Sequence, residues 1–430
     1  MSVLQELDLE DADDSWSFKE LNRSQTSYLT HDYHRYPAKF IPQLAERLIK
    51  ENSKPGDLVC DPFMGSGTTL IESIINSRRA YGSDINPVSV LISKAKTTPI
   101  EPNYLKDQIA TILMRIKADL VNSNTETGIS EATDLSSVMP KNEKIDYWFF
   151  ERQKRDLAII LSRINRITDY KIQTFMLCAF SNILKVCSRW MMKSIKPTVD
   201  NNKSIASAYR SFALQTKRMS IKNQDLWDRI GGKQIECVIE NADARMINVQ
   251  HESASTVVTS PPYVTSYEYS NLHQLTAIWL GYLDMSCDFR SKFIGSKLKG
   301  GPCSEVRSSL AKKIVLDLSL IDIREARTVK RYFSEMQKCF QEIHRILKKG
   351  GRTCIIIGDT QLRRVKIHNA HVFIELMNNL GFETHTVIKR LIPNKVLPLT
   401  RDEITGRFST TCNANRLAYP SEYILIMEKL

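Results

Sequence analysis

The chain has 430 residues, 42% of them hydrophobic and 25% charged, values that exclude disordered, collagen-like and low-complexity classes. A chain this long buries roughly three quarters of its unfolded surface and needs no disulfide or metal staple; its nine cysteines form no C-x-x-C pair and no His/Cys cluster, which argues against a zinc module and a secreted disulfide framework. Sixty Lys and Arg against 48 Asp and Glu give a net charge of +12, and an excess of this size favours a polyanionic partner.

In chain order, residues 1–30 read as an acidic, loosely ordered lead-in, with six acids from Glu6 to Asp14 and no base among them. That is the opposite of a signal or transit peptide, and no apolar run approaches a membrane span. A cytoplasmic protein without membrane contact is expected. Pro55-Gly56-Asp57 is a turn, Leu58 to Cys60 a short buried strand, Asp61 to Gly67 a glycine loop and Thr68 to Asn76 an amphipathic helix. Ala80 to Ser83 makes a second strand that ends at Asp84, which completes one strand–loop–helix–strand unit. Residues 100–233 interrupt the pattern with helices, among them Asp156 to Ile167 and Phe175 to Met192, spaced at i, i+3, i+4. The stretch from Arg189 to Lys233 carries ten Lys and Arg against three Asp. Strands resume at Cys237 to Ile239 and Thr256 to Thr259, in a segment 234–269 that precedes a second insertion at about 270–330. From 331 to 430 the spacing predicts a helix capped at Gly350-Gly351, a strand from Thr353 to Ile357, a helix from Val372 to Leu380 stopped by Gly381, and two strands around His385 to Arg390 and Tyr423 to Met427. Alternating elements of this kind imply an α/β sheet covered on both faces.

Two motifs carry chemistry. In Asp61-Pro62-Phe63-Met64-Gly65-Ser66-Gly67-Thr68-Thr69, glycines after a buried strand let the backbone approach a ligand, and the helix that follows offers free N–H groups. Asp84 lies 23 residues past Asp61, near the offset at which an acid binds a ribose hydroxyl. A phosphate loop would need a Lys beside the Ser/Thr, and Asp61 at the entrance would repel phosphate while welcoming an ammonium group. An adenosyl group bearing a cationic amino acid is the better ligand. The second motif, Thr259-Ser260-Pro261-Pro262-Tyr263, follows a strand directly. Its prolines stiffen the backbone, so the carbonyls of Ser260 and Pro261 are presented rigidly beside the flat ring of Tyr263. Acceptors on such a turn suit the amino edge of an extruded base, where positive charge develops as a methyl group arrives.

Together these motifs resemble the DNA amino-methyltransferases, S-adenosylmethionine-dependent enzymes that methylate exocyclic nitrogens of bases. D-P-F-x-G-S-G-T-T is similar to the family's cofactor loop and T-S-P-P-Y to its catalytic motif. His34-Arg35-Tyr36-Pro37-Ala38-Lys39-Phe40-Ile41-Pro42 resembles the segment that closes over the methionine end, Gly82-Ser83-Asp84-Ile85-Asn86-Pro87 the ribose-binding strand end, and Asn241-Ala242-Asp243-Ala244 the loop at the adenine ring. The resemblance implies a Rossmann-like class I methyltransferase core, an α/β fold with a mixed seven-stranded sheet, carrying a large helical insertion. It implies S-adenosylmethionine held by His34, Lys39, Phe40, Asp61, Pro62, Phe63, Gly65, Gly67, Thr68, Asp84, Ile85, Asn86, Asp243 and Ala244. Ser260, Pro261, Pro262 and Tyr263 then hold the flipped base, and the serine version of the motif is most typical of N4-cytosine enzymes. Duplex DNA is the expected substrate, in a restriction–modification setting with a separate endonuclease, since the chain shows no nuclease signature. N6-adenine methylation and a catalytically idle, cofactor-sensing DNA-binding protein are the alternatives. Target recognition is expected in residues 100–233, with Lys217, Arg218 and Lys222 as DNA contacts; a solvated helix face is the competing account.

Three other features are expected to be structural. Gly300-Gly301-Pro302-Cys303 is similar to the Pro-Cys nucleophile of C5-cytosine methyltransferases, but the catalytic strand end is already filled by Ser-Pro-Pro-Tyr, which leaves Cys303 on a surface turn. His31 and His34 lack partners at metal-ligand spacing and read as loop or core residues, and no metal is expected. Tyr147 to Phe150 reads as helix packing.

Overall fold

The computed structural model describes residues 11–37, 39–123, 135–194, 196–264, 272–282, 291–296, 303–392, 400–401, 416–417 and 421–430. Seven strands form one sheet: β1 (Leu58–Asp61), β2 (Arg79–Asp84), β3 (Cys237–Asn241), β4 (Ala254–Thr259), β5 (Leu347–Ile357), β6 (Phe382–Leu391) and β7 (Ser421–Lys429). Their spatial order is 3-2-1-4-5-7-6. The first five run parallel, and β7 runs antiparallel to both β5 and β6. This is the mixed seven-stranded sheet of a class I methyltransferase. Chain order reverses between β1 and β4, which pair directly, and a crevice opens at the carboxyl ends of parallel strands where order reverses.

Side chains alternate across the sheet with the period of two that a strand imposes. Val59, Val258, Cys354, Ile356, Ile424 and Ile426 face one way and pack with Leu44, Leu48 and Ile49 of helix α1 (Pro42–Asn52). Cys60, Val257, Ile355, Ile357, Leu425 and Met427 face the other way. They meet α10 (Ser309–Ser319), α11 (Ile323–Ile346) and α12 (Asn369–Asn378). Burial on both faces is why Val257–Val258, Cys354–Ile357 and Tyr423–Met427 run as consecutive apolar residues. Between β1 and β3 come α2 (Thr68–Ile75), α3 (Pro87–Thr97) and the helical insertion: α4 (Pro102–Asn122), α5 (Glu143–Trp148), α6 (Glu151–Asn165), α7 (Tyr170–Ile183) and α8 (Ala208–Arg229). The insertion builds its own core and leans it on Val88, Ile92 and Ala95 of α3.

Several expectations are revised. Residues 11–30 are packed: Trp16 is buried with Arg47 stacked 3.6 Å over its ring, and Asp13 N donates to Lys389 O (2.8 Å) at the β6 edge. Residues 1–10 lie outside the described residues. The helix expected over 175–192 ends at Ile183, and the chain then turns under Lys203, whose Nζ donates to the carbonyls of Lys185, Ser188 and Trp190. Gly350-Gly351 is not a helix cap. Helix α11 stops at Ile346, and the glycines form an irregularity early in β5. There Gly350 has φ +69°, and a Cβ on Gly351 would meet Lys348 O at 2.8 Å. The described residues of 270–330 divide between two cores: α9 (Gln274–Trp279) joins the helical insertion, whereas α10 packs on the sheet. Among the described residues no helix is long and apolar enough to cross a membrane.

Candidate active site

The glycine loop leaves β1 with two left-handed residues, Gly65 at φ +48° and Gly67 at φ +75°, a region that costs an L side chain about 1–2 kcal/mol. Gly67 N donates to Met64 O (2.7 Å), which closes the turn into α2. Helix α3 props the loop from behind. Ser93 Oγ donates to Gly65 O (3.1 Å), and the fully buried Lys96 sends its Nζ to Ser66 O (3.0 Å). At the end of β2, Asp84 accepts from Asn86 N (2.8 Å) and Gly65 N (3.0 Å), so the second acid is bonded to the loop itself. Asn86 then caps α3, accepting from Val88 N (3.0 Å) ahead of Pro87.

These elements wall a cleft at the carboxyl edge of the sheet. Of the cofactor residues expected from the sequence, Lys39, Phe40, Pro62, Phe63, Gly65, Thr68, Asp84, Ile85, Asn86, Asp243 and Ala244 line it. Ser260 and Pro262 line the same cleft, so the two motifs share one space although about 190 residues separate them. Three buried polar atoms here have no hydrogen-bond partner among the described residues: Ser66 Oγ, Thr68 Oγ1 and Asn86 Nδ2. Unpaired buried groups cost free energy, so a polar ligand that satisfies them fits the cleft.

Asp61 and His34 are placed elsewhere. Asp61 is buried at the end of β1 and does not line the cleft. Its carboxylate accepts from Phe63 N (3.1 Å), Thr69 Oγ1 (2.7 Å) and Thr259 Oγ1 (2.6 Å). Asp61 therefore ties β1, α2 and β4 together at the point where chain order reverses. His34 bonds Arg35 O (2.9 Å) and Ser181 Oγ (3.0 Å), joining the N-terminal segment to α7, and burial drives its imidazole down to about 3. Gly67, Pro261 and Tyr263 also stand off the lining.

Residues that line the cleft without having been singled out are Tyr36, Met64, Ser66, Lys292, Phe293 and Ile294. Tyr36, Met64 and Ser66 lie inside the quoted motifs, so position alone could have found them. Lys292 to Ile294 come from the second insertion and carried no signal. They are held by Glu335, which accepts from Gly295 N (2.8 Å), and by Arg245, which donates to Lys292 O (2.9 Å) and pairs with Asp243 and Glu335.

The Ser260–Tyr263 turn is anchored at both ends. Thr259 is bonded to Asp61, and the Pro262 carbonyl accepts from Tyr332 OH (2.8 Å). The Tyr263 hydroxyl donates to Glu422 (3.3 Å), and its ring passes so close to Gly358 that a Cβ there would lie 3.2 Å away. Cys303 is partly buried in the segment before α10 and does not line the cleft; Gly300 to Pro302 lie outside the described residues. His31 is buried against Glu72 (2.7 Å). Among the described residues one group with metal-ligand chemistry occurs, Asp359, His368 and His371, and it includes neither His31 nor His34. Trp148 and Phe149 are packing residues as expected, whereas Tyr147 and Phe150 face solvent beside Arg189. On α8, Arg218 pairs with Asp32 (2.8 Å) and Lys222 with Asp225 (3.0 Å), while Lys217 makes no ion pair among the described residues.

Burial raises the carboxyl groups of Asp84 and Asp61 to about 6, against the hydrogen bonds that favour their charged forms. The resemblance puts the ribose of S-adenosylmethionine at Asp84, and a carboxylate accepts from hydroxyls best when ionised, so affinity should fall as pH drops through about 6. Titration calorimetry with S-adenosylmethionine is expected to give roughly tenfold weaker binding at pH 5 than at pH 7.5, a difference that Asp84→Asn removes. The stability of the free protein should run the other way. The contribution of these raised carboxyls is present below their unfolded value near 4 and is lost as pH rises through about 6. Equal affinity at both pH values would show that Asp84 does not face the ligand.

A sequence model of the DNA methylase family matches residues 5–95 and 254–430, well over half the chain, and passes over the helical insertion. Among curated proteins the chain is similar to the type II methyltransferase M.MvaI of Kocuria varians, 28% identical over 93% of each chain. It is also similar to the type II methyltransferase M.BsoBI of Geobacillus stearothermophilus, 21% identical over 84% of this chain and 81% of the other. The DNA adenine methyltransferase YhdJ of Escherichia coli is 30% identical over 22% of this chain and 31% of its own. Among solved structures, a putative DNA modification methylase of Thermus thermophilus complexed with S-adenosyl-L-methionine matches 44% of this chain and 53% of its own, at 18% identity and a TM-score of 0.22. With the glycine loop and the Ser-Pro-Pro-Tyr turn brought to one cleft at the reversal point of the sheet, the chain belongs to the DNA methylase family.

Proposed function

We propose that this protein transfers a methyl group to the N4 amino group of cytosine, flipped out of a specific duplex sequence. S-adenosylmethionine is the methyl donor. In this reading Asp84 and Asn86 would hold its ribose, Asp243 and Ala244 its adenine ring, and Lys39 and the glycine loop its methionine end; that all of these line one cleft supports it. The observation that carries the reading is the presence of Ser260 and Asp84 in the walls of one cleft. Ser260 Oγ and the Pro261 carbonyl accept from the two amino protons of the base, which localises the nitrogen lone pair. Tyr263 stacks on the ring. When bound, S-adenosylmethionine would supply the methyl group and leave as S-adenosylhomocysteine, while Ser260 and the Pro261 carbonyl would hold the amino protons, one of which would pass to water. No covalent bond to the protein is needed. The family covers N6-adenine methylation as well, and the same acceptors serve an adenine amino group.

The context proposed is restriction–modification, in which a separate endonuclease cuts the same sequence when unmethylated; two relatives are named type II methyltransferases. Mass spectrometry of nucleosides from DNA of cells expressing the chain tests the reaction, with N4-methylcytosine expected. N6-methyladenine would move the assignment to adenine, and 5-methylcytosine would overturn direct transfer to the amino group.

A further inference from the structure

The strand that flanks the catalytic strand does not end plainly. Directly after Gly358 and Asp359, the chain forms a hairpin, Thr360–Leu362 paired with Val365–Ile367. Its two-residue loop is Arg363-Arg364, both left-handed, with φ of +49° and +67°. Among the described residues these are the one consecutive pair of non-glycine residues with positive φ. A two-residue loop of this kind wants Asn-Gly or Gly-Gly, and each L side chain there costs about 1–2 kcal/mol. Backbone strain of this kind gathers at functional sites. Both arginines are exposed. Arg363 touches Asp322 (3.1 Å), while Arg364 makes no ion pair among the described residues.

The hairpin's position gives the strain a use. Thr259 of β4 is level with Ile355 of β5, so Gly358 lies beside the Ser260–Tyr263 turn, as its closeness to the Tyr263 ring confirms. Three residues of paired strand make the hairpin about 10 Å long, and Leu362 and Val365 pack against the core, which leaves the Arg363-Arg364 tip exposed at that edge. A base held at Ser260 is still joined to its duplex, and the duplex must lie outside this rim. The major groove admits a two-stranded ribbon, and arginine is the side chain that most often contacts guanine edges and phosphates there.

We infer that the 360–367 hairpin is a finger that enters the duplex beside the target base, with Arg363 and Arg364 contacting DNA at its tip. The inference rests on the DNA-methylation reading and adds the element that engages the substrate. Arg218 and Lys222 of α8 are both paired with acids, whereas at this tip Arg363 touches Asp322 and Arg364 makes no ion pair among the described residues. The double variant Arg363→Asn with Arg364→Gly tests it, because Asn-Gly improves the turn while removing both charges. The expected result is a thermal midpoint equal to or above the parent's, unchanged calorimetric affinity for S-adenosylmethionine, and duplex affinity at least tenfold weaker. The slope of log affinity against log salt should become shallower by about two, one for each lost phosphate-range cation. Parent-like duplex affinity and slope would overturn the inference while leaving the methylation reading intact. A parent protein that binds no duplex would overturn both.

Discussion

Gly65→Val should weaken S-adenosylmethionine binding at least about 100-fold while the protein remains folded. At φ +48° a β-branched residue is forced into the left-handed region, at about 1–2 kcal/mol or more. Its Cβ would start 3.3 Å from the Tyr36 ring, which lines the cleft and whose hydroxyl is tied to Ser89 (3.1 Å). The ring cannot retreat without breaking that bond, so the valine methyls push into the ligand's space or move the loop. Moving the loop breaks the Gly65–Asp84 hydrogen bond and displaces the acid as well. A 100-fold loss corresponds to about 2.8 kcal/mol, and strain of the same order is small beside a typical folding free energy of about 5–15 kcal/mol. Gly67 would be the poorer test, because a Cβ there collides with Ser93 Oγ at 2.8 Å and with the backbone of α3 at 3.3 Å. Loss of binding at that position would be confounded with loss of fold. Calorimetry and circular dichroism on Gly65→Val separate the two effects, and parent-like affinity would remove the loop from the cofactor site.

The parts of this site that could be read from the sequence are those where one short segment carries both the backbone requirement and the chemistry. Gly65, Asp84 and Ser260 are of that kind: each follows directly on a strand whose apolar run marks it, and the strand end fixes where the residue goes. Asp61 shows the limit of such reasoning. Its place at the loop entrance suggested a counter-charge for the ligand, but the residues that claim its oxygens, Thr69 and Thr259, are 8 and 198 positions away. Only the pairing of β1 with β4 brings Thr259 there, and no local pattern encodes that pairing. The same holds for Lys292 to Ile294. Their segment has no periodicity of its own and becomes a cleft wall because Arg245 and Glu335 hold it. Gly350-Gly351 failed for a different reason. Glycine permits a positive φ in a helix cap and in a strand irregularity alike, and the choice between them was made by Ser255 across the sheet, whose carbonyl would lie 3.1 Å from a Cβ on Gly351.

Asp61 also explains how two distant motifs come to act as one device. Its carboxylate bonds the first turn of α2 on one side and the last residue of β4 on the other, so the cofactor loop and the Ser-Pro-Pro-Tyr turn share a single anchor. Methyl transfer requires the two reacting atoms to be aligned within a few tenths of an ångström, and rigid positioning of this kind is worth several kcal/mol of barrier. A helical insertion of more than a hundred residues separates the two motifs in the chain, yet it leans on the far side of α3 and leaves this junction undisturbed.

Ser260→Ala should lower kcat by about 100-fold and leave S-adenosylmethionine affinity unchanged. The amino nitrogen of cytosine shares its lone pair with the ring and is a poor nucleophile until that pair is localised. An acceptor aimed at one amino proton does this only as the nitrogen becomes tetrahedral, so its contribution belongs to the transition state and its loss appears in kcat. Removing one such preorganised polar partner from an active site typically costs about 10²–10³-fold. The turn should survive the change, because its geometry is fixed by Pro261 and Pro262, by Thr259 on Asp61 and by Tyr332 on the Pro262 carbonyl, none of which uses the Ser260 hydroxyl. Cofactor affinity should be spared, because Ser260 is not among the residues proposed to hold the donor. Cys303→Ala supplies the contrast: Cys303 lies outside the cleft lining, and its removal should leave kcat within about twofold of the parent. Single-turnover assays on a duplex substrate measure both variants. Unimpaired turnover in Ser260→Ala would take the hydroxyl out of the reaction, and lost turnover in Cys303→Ala would point to attack by a thiolate on the base ring.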